Sequence, residues 1–184
     1  MLLDIAIGLL LAMIALPHSP WGGLLWLSVY TVTFSLAPDL DVMLSRLTGV
    51  PPSRHREILH KPLVLLPTVF FVISLFDVSL AAIAIVALLL HYVHDSIGIG
   101  WGVQWVYPIS KDSFSFLYHL PGGTRRMKRR LLYRWPHGRI EALATKYGDP
   151  HWFRNIYLRW HPYAIIEASV FLVIVSIWLS AILT

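Results

Sequence analysis

The chain contains no cysteine. Disulfides, thiolate-bound zinc and cysteine nucleophiles are therefore excluded. Charged residues are also scarce, because they make up 14% of the 184 residues, whereas hydrophobic residues make up 57%. Soluble domains have about 25% charged residues, and a soluble globule of this size needs more polar surface. The composition excludes an ordinary soluble enzyme and a disordered chain, and it predicts a single polytopic membrane domain.

Five apolar segments account for the mean hydropathy of +0.64. They cover residues 2–16, 21–36, 63–76, 79–93 and 163–183. The first four are shorter than the roughly 20 residues of a perpendicular transmembrane helix, so we expect them to extend into their flanks or to lie in thinned bilayer. Tight turns at 17–20 and 76–79 join them in pairs. The predicted fold class is an all-α membrane bundle of about five segments: two short helical hairpins and a C-terminal span.

The basic residues set the expected orientation. All fifteen Lys and Arg lie in two loops, residues 37–62 and 95–162, which share a side with the N-terminus if all five segments cross. The positive-inside rule places both loops and the N-terminus in the cytoplasm and the C-terminus outside. Asp4 stands where a signal peptide has positive charge, so we expect a retained first helix rather than a cleaved signal. We expect three parts: a bundle with the site (1–97), an interfacial region (98–162) and a C-terminal transmembrane helix (163–184).

Carboxylates and imidazoles gather at the expected cytoplasmic ends of the segments, although such groups are costly at a membrane boundary. From the first segment to the fourth they are Asp4; Asp39 and Asp41; His55, Glu57 and His60; and His91, His94 and Asp95. This convergence is the strongest functional signal in the sequence. Nitrogen and carboxylate ligands without thiolate suit Zn²⁺ first, with Mn²⁺ or Fe²⁺ as alternatives, and one or two ions are possible.

Spacing favours one pair of the candidate ligands. His91 and Asp95 are four residues apart and share one face of a helix, whereas His94 points away. The first-choice ligands are Asp41, His55, His91 and Asp95. The second-choice ligands, or groups that orient a ligand, are Asp4, Asp39 and His60. Any one of these residues could instead cap a helix or pair with a nearby arginine. The sequence leaves open whether His94, His161 or Glu167 joins the site.

The pair Asp39 and Asp41 follows Pro38. In an extended turn both side chains would point the same way, and in a helix they would not. Charged residues beside the histidines are the catalytic candidates. Glu57 could be a general base or a salt-bridge partner. Arg56 and Lys61 could bind a phosphate or anchor the chain at the membrane surface.

At these residues the sequence resembles the YdjM-like membrane-bound metal-dependent hydrolases, also described as LexA-binding, inner-membrane-associated putative hydrolases. The matching stretches are residues 38–41 (Pro-Asp-Leu-Asp), 55–60 (His-Arg-Glu-Ile-Leu-His), 91–95 (His-Tyr-Val-His-Asp) and 102–108 (Gly-Val-Gln-Trp-Val-Tyr-Pro). The resemblance covers residues 1–110 and implies a metal-dependent hydrolase of the inner membrane. The chain departs from the family pattern at Leu3-Asp4, where the family has Thr-His, and at Lys61 and Ser96, where it has Ser and Thr.

A fainter similarity is to the zinc-dependent phospholipase C and P1 nuclease group. That group holds one zinc with an Asp, two His and a second Asp, and the similar residues here are Asp41, His55, His91 and Asp95. The group's further His-x-x-x-Glu element has no clear counterpart, because Tyr163 stands four residues before Glu167. This similarity implies phosphoester chemistry.

The second loop is too long for an ordinary connection. Six basic residues lie from Arg125 to Arg134, and a helix there would lie in the interface and attract anionic lipid headgroups. Aromatic residues and Arg are mixed over 151–160 as in an interfacial belt. Residues 140–147 predict a short helix that Gly148 ends. Adjacent membrane segments favour lipid over nucleic acid as the partner.

These observations predict a membrane-bound metal-dependent hydrolase that acts at the cytoplasmic membrane face on a phosphoester of a lipid or amphiphile. An amide or ester hydrolase is an alternative within the enzyme class. The main alternative is a non-catalytic membrane anchor or regulatory protein, which has a structural metal and binds a partner or anionic lipid through its basic region.

Overall fold

The computed structural model describes residues 1–50, 56–97, 100–117 and 130–183. The helices in these ranges are α1 (Leu2–Ala15), α2 (Leu24–Leu36), α3 (Asp41–Thr48), α4 (Pro62–Ser74), α5 (Val78–Asp95), α6 (Ile140–Tyr147), α7 (Trp152–Ile156) and α8 (Pro162–Leu183). The strands are β1 (Ser113–Phe116) and β2 (Leu132–Trp135).

The chain divides into two compact units. The apolar unit comprises Met1–Pro38, Leu66–His91 and Pro162–Thr184, and the polar unit comprises Asp39–Leu65 and Tyr92–His161. Helices α4 and α5 each run without a break from one unit into the other. The three-part division expected from the sequence stays a prediction.

The long helices form where the sequence is apolar. Each of the five predicted segments contains one of them: α1, α2, α4, α5 and α8. Pro17 follows closely on α1 and Pro38 on α2, because proline cannot continue a helix. Helix α5 is longer than its predicted segment and ends at Asp95, so it carries the predicted ligand pair His91 and Asp95 on one continuous helix.

Two helices of the described residues, α5 and α8, are long and apolar enough to cross a membrane. They have 18 and 22 residues, which corresponds to about 27 and 33 Å against a hydrocarbon core of about 30 Å. Helices α1 and α4 are apolar but shorter. The membrane character of the chain is thus supported, and the crossing of all five segments stays a prediction.

In the apolar unit, α1 and α2 approach each other closely at Gly8. A Cβ on Gly8 would lie 2.7 Å from the Val32 Cα, so only glycine permits this packing. The Thr31 hydroxyl donates a 2.6 Å hydrogen bond to the Gly8 carbonyl, which satisfies a buried polar group between two apolar helices.

Helix α8 joins this pair through Trp178. The Trp178 indole N–H donates a 2.7 Å hydrogen bond to the Ser28 hydroxyl, and that hydroxyl donates to the Leu24 carbonyl at 2.7 Å. Trp178 also packs on a buried apolar cluster that includes Ala12 and Leu27. The three helices are therefore tied by both apolar and polar contacts.

Asp77, which precedes α5, joins the turn before α5 to the turn before α2. Asp77 accepts the Leu80 backbone N–H at 2.7 Å and the Trp21 indole N–H at 2.8 Å. These two donors, with Leu80 the larger cause, hold the pKa of the Asp77 carboxyl below its usual value.

The polar unit contains a two-stranded antiparallel sheet, so the all-α expectation was wrong for this part of the chain. β1 and β2 pair in the register Ser113↔Trp135, and Val103 forms an isolated bridge with Phe114. Tyr133 and Trp135 are buried and pack against Ile140, which begins α6. Helix α6 spans the eight residues predicted for it.

The expected interfacial helix from Arg125 to Arg134 needs the same correction. Residues 132–135 are a strand in which exposed and buried side chains alternate, and this period of two fits a sheet with one face on a core. Residues 125–129 lie outside the described residues. Helix α3 also lies where a loop was expected, and Gly49 ends it in the left-handed conformation at φ 71°.

Candidate metal centre

His60 lies in the polar unit, in the loop that ends where α4 begins at Pro62. The His60 carbonyl accepts the Gln104 backbone N–H at 3.2 Å, and the Leu59 carbonyl accepts the Tyr92 hydroxyl at 2.9 Å. These bonds tie the loop to two other segments of the unit. They hold an imidazole that is fully buried.

The His60 ring lies between two carboxylates. Its Nδ1 is 2.8 Å from Asp41 Oδ2, and its Nε2 is 2.8 Å from Asp95 Oδ2. Asp41 Oδ1 accepts the Leu59 backbone N–H at 2.7 Å, so both oxygens of this buried carboxylate have partners. Since a buried charge is costly unless it is paired, these contacts explain why Asp41 can be buried.

Asp95 is held by Arg56. Arg56 Nη2 is 2.9 Å from Asp95 Oδ2, and Nη1 donates to the Asp95 carbonyl at 3.1 Å. Gly100 lies against this guanidinium with φ 105°, and a Cβ there would be 2.9 Å from Arg56 Nη1. The positive φ at position 100 favours glycine, and a Cβ there would have to displace the end of the Arg56 side chain.

Four residues offer donor atoms that could hold a metal ion. Asp39, His60, His91 and Asp95 each contribute one, and these atoms all lie within 4.8 Å of one another. Three of the residues belong to the polar unit. His91 is covalently joined to that unit through α5, one turn before Asp95, so the unbroken helix fixes its place relative to Asp95.

The local backbone explains why Asp39 and not Asp41 is in the group. Residues Ala37–Leu40 form a 3₁₀ turn that leads into α3 at Asp41. In a helical conformation, side chains two residues apart point about 200° apart. Asp39 therefore joins the donor group, while Asp41 contacts Nδ1 of the His60 ring.

In the apolar unit, His91 also has a carboxylate at Nδ1. Asp4, in the first turn of α1, places Oδ1 3.3 Å from His91 Nδ1, and both side chains are buried. Each histidine of the donor group thus has an aspartate at Nδ1, which is the arrangement that fixes the tautomer of histidine ligands in metal sites.

The donor set fits a small divalent ion. Zinc bound tetrahedrally to nitrogen and oxygen ligands at 2.0–2.2 Å has ligand atoms about 3.4 Å apart. The 2.8 Å distance from His60 Nε2 to Asp95 Oδ2 and the 4.8 Å limit of the group bracket that value. Two imidazoles and two carboxylates without thiolate also suit Mn²⁺ or Fe²⁺.

The residues predicted as ligands fall into three sets. Those in the donor group are Asp39, His60, His91 and Asp95. Those that contact one of its histidines are Asp4 and Asp41. His55 lies outside the described residues. Of the residues left open, Glu167 is buried in α8, while His94 and His161 are half-buried.

The three charged residues predicted to take part in catalysis have different surroundings in the structure. Arg56 holds Asp95, whereas Glu57 and Lys61 line a cavity in the polar unit. Glu57 Oε1 is 3.1 Å from His137 Nδ1, and the Lys61 ammonium lies over the Tyr107 ring, 4.3 Å from its centroid. The sequence analysis missed His137, because no spacing rule connects residues that are eighty positions apart.

One comparison with known proteins, the match to a family model, agrees with the motifs. No curated protein and no solved structure matches the chain. A family model described as YdjM inner membrane protein matches residues 3–183. The match extends beyond the motif region at 1–110 through the basic loop and α8, and α5 and α8 are apolar as an inner membrane protein requires. The chain therefore belongs to the YdjM inner membrane protein family.

Proposed function

We propose that the chain is a metal-dependent hydrolase of the inner membrane that cleaves a phosphoester of a lipid or another amphiphile. One observation carries the proposal: Asp39, His60, His91 and Asp95 offer ligand atoms within 4.8 Å of one another. The donor chemistry favours Zn²⁺, with Mn²⁺ or Fe²⁺ as alternatives, and one or two ions.

A divalent ion bound there would supply Lewis acidity, which polarises a phosphoryl oxygen and makes water more acidic. The chain's own groups prepare the ligands. Asp41 would accept a hydrogen bond from His60 Nδ1–H, so the Nε2 lone pair would be available to the ion. The Asp4 carboxylate, 3.3 Å from His91 Nδ1, would favour the corresponding tautomer of His91 by its charge. Arg56 is a positioning residue, because its guanidinium holds Asp95.

Glu57 and Lys61 are the groups that we propose for direct work on the substrate. Glu57 would accept the proton of the attacking water as a general base, and its contact with His137 would hold the carboxylate in place. Lys61 would contact the phosphate, because its ammonium lines the cavity and is held over the Tyr107 ring.

We also propose that the site faces the cytoplasm. All Lys and Arg lie in the two loops that contain or adjoin the donor group, and the positive-inside rule assigns such loops to the cytoplasmic side. Because the chain contains no cysteine, single introduced cysteines can test this orientation directly. Single cysteines at position 184 and at position 138 should react with an impermeant maleimide from opposite sides of the membrane.

The metal centre is tested by elemental analysis of purified protein. We expect at least one divalent ion per chain, and we expect His91→Ala and Asp95→Ala to lose it. His18→Ala is the matched control, because His18 lies in the 3₁₀ turn after α1 and outside the donor group. Equal metal content in all four proteins would contradict the site.

The reaction is tested by release of phosphate or headgroup from a lipid panel, with chelated protein as the control. Metal-bound protein that cleaves no lipid would favour the non-catalytic alternative, in which the metal serves structure. An exposed aromatic surface supports that alternative, since Trp152, Phe153 and Trp160 are 45%, 56% and 80% exposed and could contact a partner.

A further inference from the structure

Glu57 and Lys61, the side chains proposed above for work on the substrate, line a cavity of the polar unit that none of the four donor residues lines. The cavity has a volume of about 210 Å³ and is lined by Glu57, Lys61, Gln104, Tyr107, Lys111 and His137. At about 30 Å³ for each water molecule of liquid, the volume corresponds to about seven waters. This is smaller than the 300–1,000 Å³ typical of sites for drug-sized ligands. The cavity thus has room for a polar headgroup but not for a lipid chain.

The charges of this cavity favour an anion. Its two ammonium groups, on Lys61 and Lys111, form no ion pair with the residues that the structure describes. Glu57, the one carboxylate that lines the cavity, contacts His137, and the nearby Asp112 pairs with Arg134. The cavity therefore has two ammonium groups against one carboxylate, and neither ammonium is paired with that carboxylate.

Gln104 adds a hydrogen-bond acceptor. Its Nε2 donates to the Lys111 carbonyl at 2.7 Å, which fixes the orientation of the amide. Its Oε1 is buried and has no hydrogen-bond partner among the described residues. The side chain is 1% exposed, so an unmet acceptor there is costly unless something in the cavity donates to it.

We propose that this cavity binds a phosphorylated polyol headgroup such as glycerol phosphate. The phosphoryl oxygens lie between the ammonium groups of Lys61 and Lys111, and a hydroxyl donates to Gln104 Oε1. The ligand comes either from a lipid headgroup or from a free phosphomonoester. The proposal concerns binding alone, so it stands whether or not the metal centre is catalytic.

Binding is measured calorimetrically with metal-free protein in neutral phosphatidylcholine nanodiscs and sn-glycerol 3-phosphate as the probe. We expect wild-type protein to bind the probe and to show no response to glycerol. Lys111→Gln and Gln104→Glu should each weaken binding about tenfold or more, because each removes or opposes a charge-assisted contact. Lys146→Gln is the matched control and should bind as wild type does, since Lys146 contacts the Tyr147 ring and does not line the cavity.

Nanodiscs that contain phosphatidylglycerol distinguish the two sources of the ligand. Competition against the soluble probe would assign the cavity to the lipid headgroup, and unchanged probe binding would assign it to a free phosphomonoester. Thermal unfolding of each variant shows that it is folded. Absence of binding by wild-type protein in neutral nanodiscs, or equal binding by wild type, Lys111→Gln and Gln104→Glu, would overturn the proposal.

Discussion

His60 of the polar unit and His91 of the apolar unit have the same chemical arrangement but differ in how tightly it is held. The Asp41 carboxylate lies 2.8 Å from His60 Nδ1, and a backbone N–H fixes its other oxygen. The Asp4 carboxylate lies 3.3 Å from His91 Nδ1, just beyond the usual hydrogen-bond range. The same orienting pair is therefore built twice from unrelated segments, and a backbone-anchored carboxylate should contribute more to metal affinity.

Asp41→Asn should have the largest effect. Asparagine can still accept the Leu59 N–H, but its amide N–H₂ then faces His60 Nδ1 and favours the tautomer protonated on Nε2. We expect zinc affinity to fall about 100-fold, the upper end for a residue that orients a ligand. A competition titration with a chromogenic chelator measures it.

Asp149→Asn is the matched control for that variant. Asp149 is also a buried aspartate of the polar unit, and it accepts a backbone N–H from His151 and a side-chain N–H from Asn155, at 2.8 and 2.7 Å. It lies outside the donor group. Unchanged zinc affinity in Asp41→Asn, or an equal loss in Asp149→Asn, would contradict the role of Asp41.

Asp4→Asn should have a smaller effect on the same titration. We expect zinc affinity to fall about tenfold, the lower end for a residue that orients a ligand, because the longer contact with His91 holds the tautomer less firmly. The unfolding temperature of the metal-free variant serves as the check on folding. If Asp4→Asn costs as much affinity as Asp41→Asn, the difference between the two histidines has no energetic meaning.

Gly100→Ala tests the support of Asp95 within the polar unit. The positive φ should cost about 1 kcal/mol of unfolding free energy, and the new Cβ should push Arg56 away from Asp95. Gly49→Ala is the control, since Gly49 has φ 71° and open space around it. Thermal unfolding should report a loss in both variants, and zinc titration a several-fold loss in Gly100→Ala alone. Lower zinc affinity in Gly49→Ala as well would attribute the effect to backbone strain.

Asp112→Asn should have the smallest effect, and it should depend on pH. The His137 backbone N–H and then Arg134 hold the pKa of the Asp112 carboxyl below its ordinary value of 3.8. A group with a lowered folded-state pKa stabilises the fold above its unfolded pKa, and this contribution disappears as the pH falls through the folded value. We expect a loss of less than about 1 kcal/mol at neutral pH, because Arg134 is largely solvent-exposed.

Unfolding of wild type and Asp112→Asn should therefore be compared at pH 7 and again well below pH 3.8. The difference between the two proteins should vanish at the lower pH. A difference that persists there would show that the variant acts through packing and not through the carboxylate charge.

The helices of the apolar unit were predictable because their signal is local. Apolar runs, proline and glycine placed α1, α2, α4, α5 and α8 within a few residues, and α6 fell on its predicted residues. The sheet was not predicted, because β1 and β2 are 15 residues apart in sequence and their pairing is a tertiary contact.

The sequence named all four residues of the donor group as possible ligands, but it did not determine how they are arranged. Helical spacing brought His91 and Asp95 together correctly, since both lie on α5. The sequence left the backbone of residues 37–41 undecided, and that backbone determines whether Asp39 or Asp41 enters the donor group. His60 was a second-choice ligand, yet a loop places its ring between the carboxylates of Asp41 and Asp95.

The bond from Trp178 to Ser28 sets the rotational phase of α8. The Ser28 hydroxyl is buried and itself bonds to Leu24, so the indole N–H meets it only when α8 turns Trp178 towards α2. One residue inserted into α8 before Trp178 would turn the indole by about 100°. The last helix of the chain therefore tolerates changes of apolar side chain more readily than changes of length.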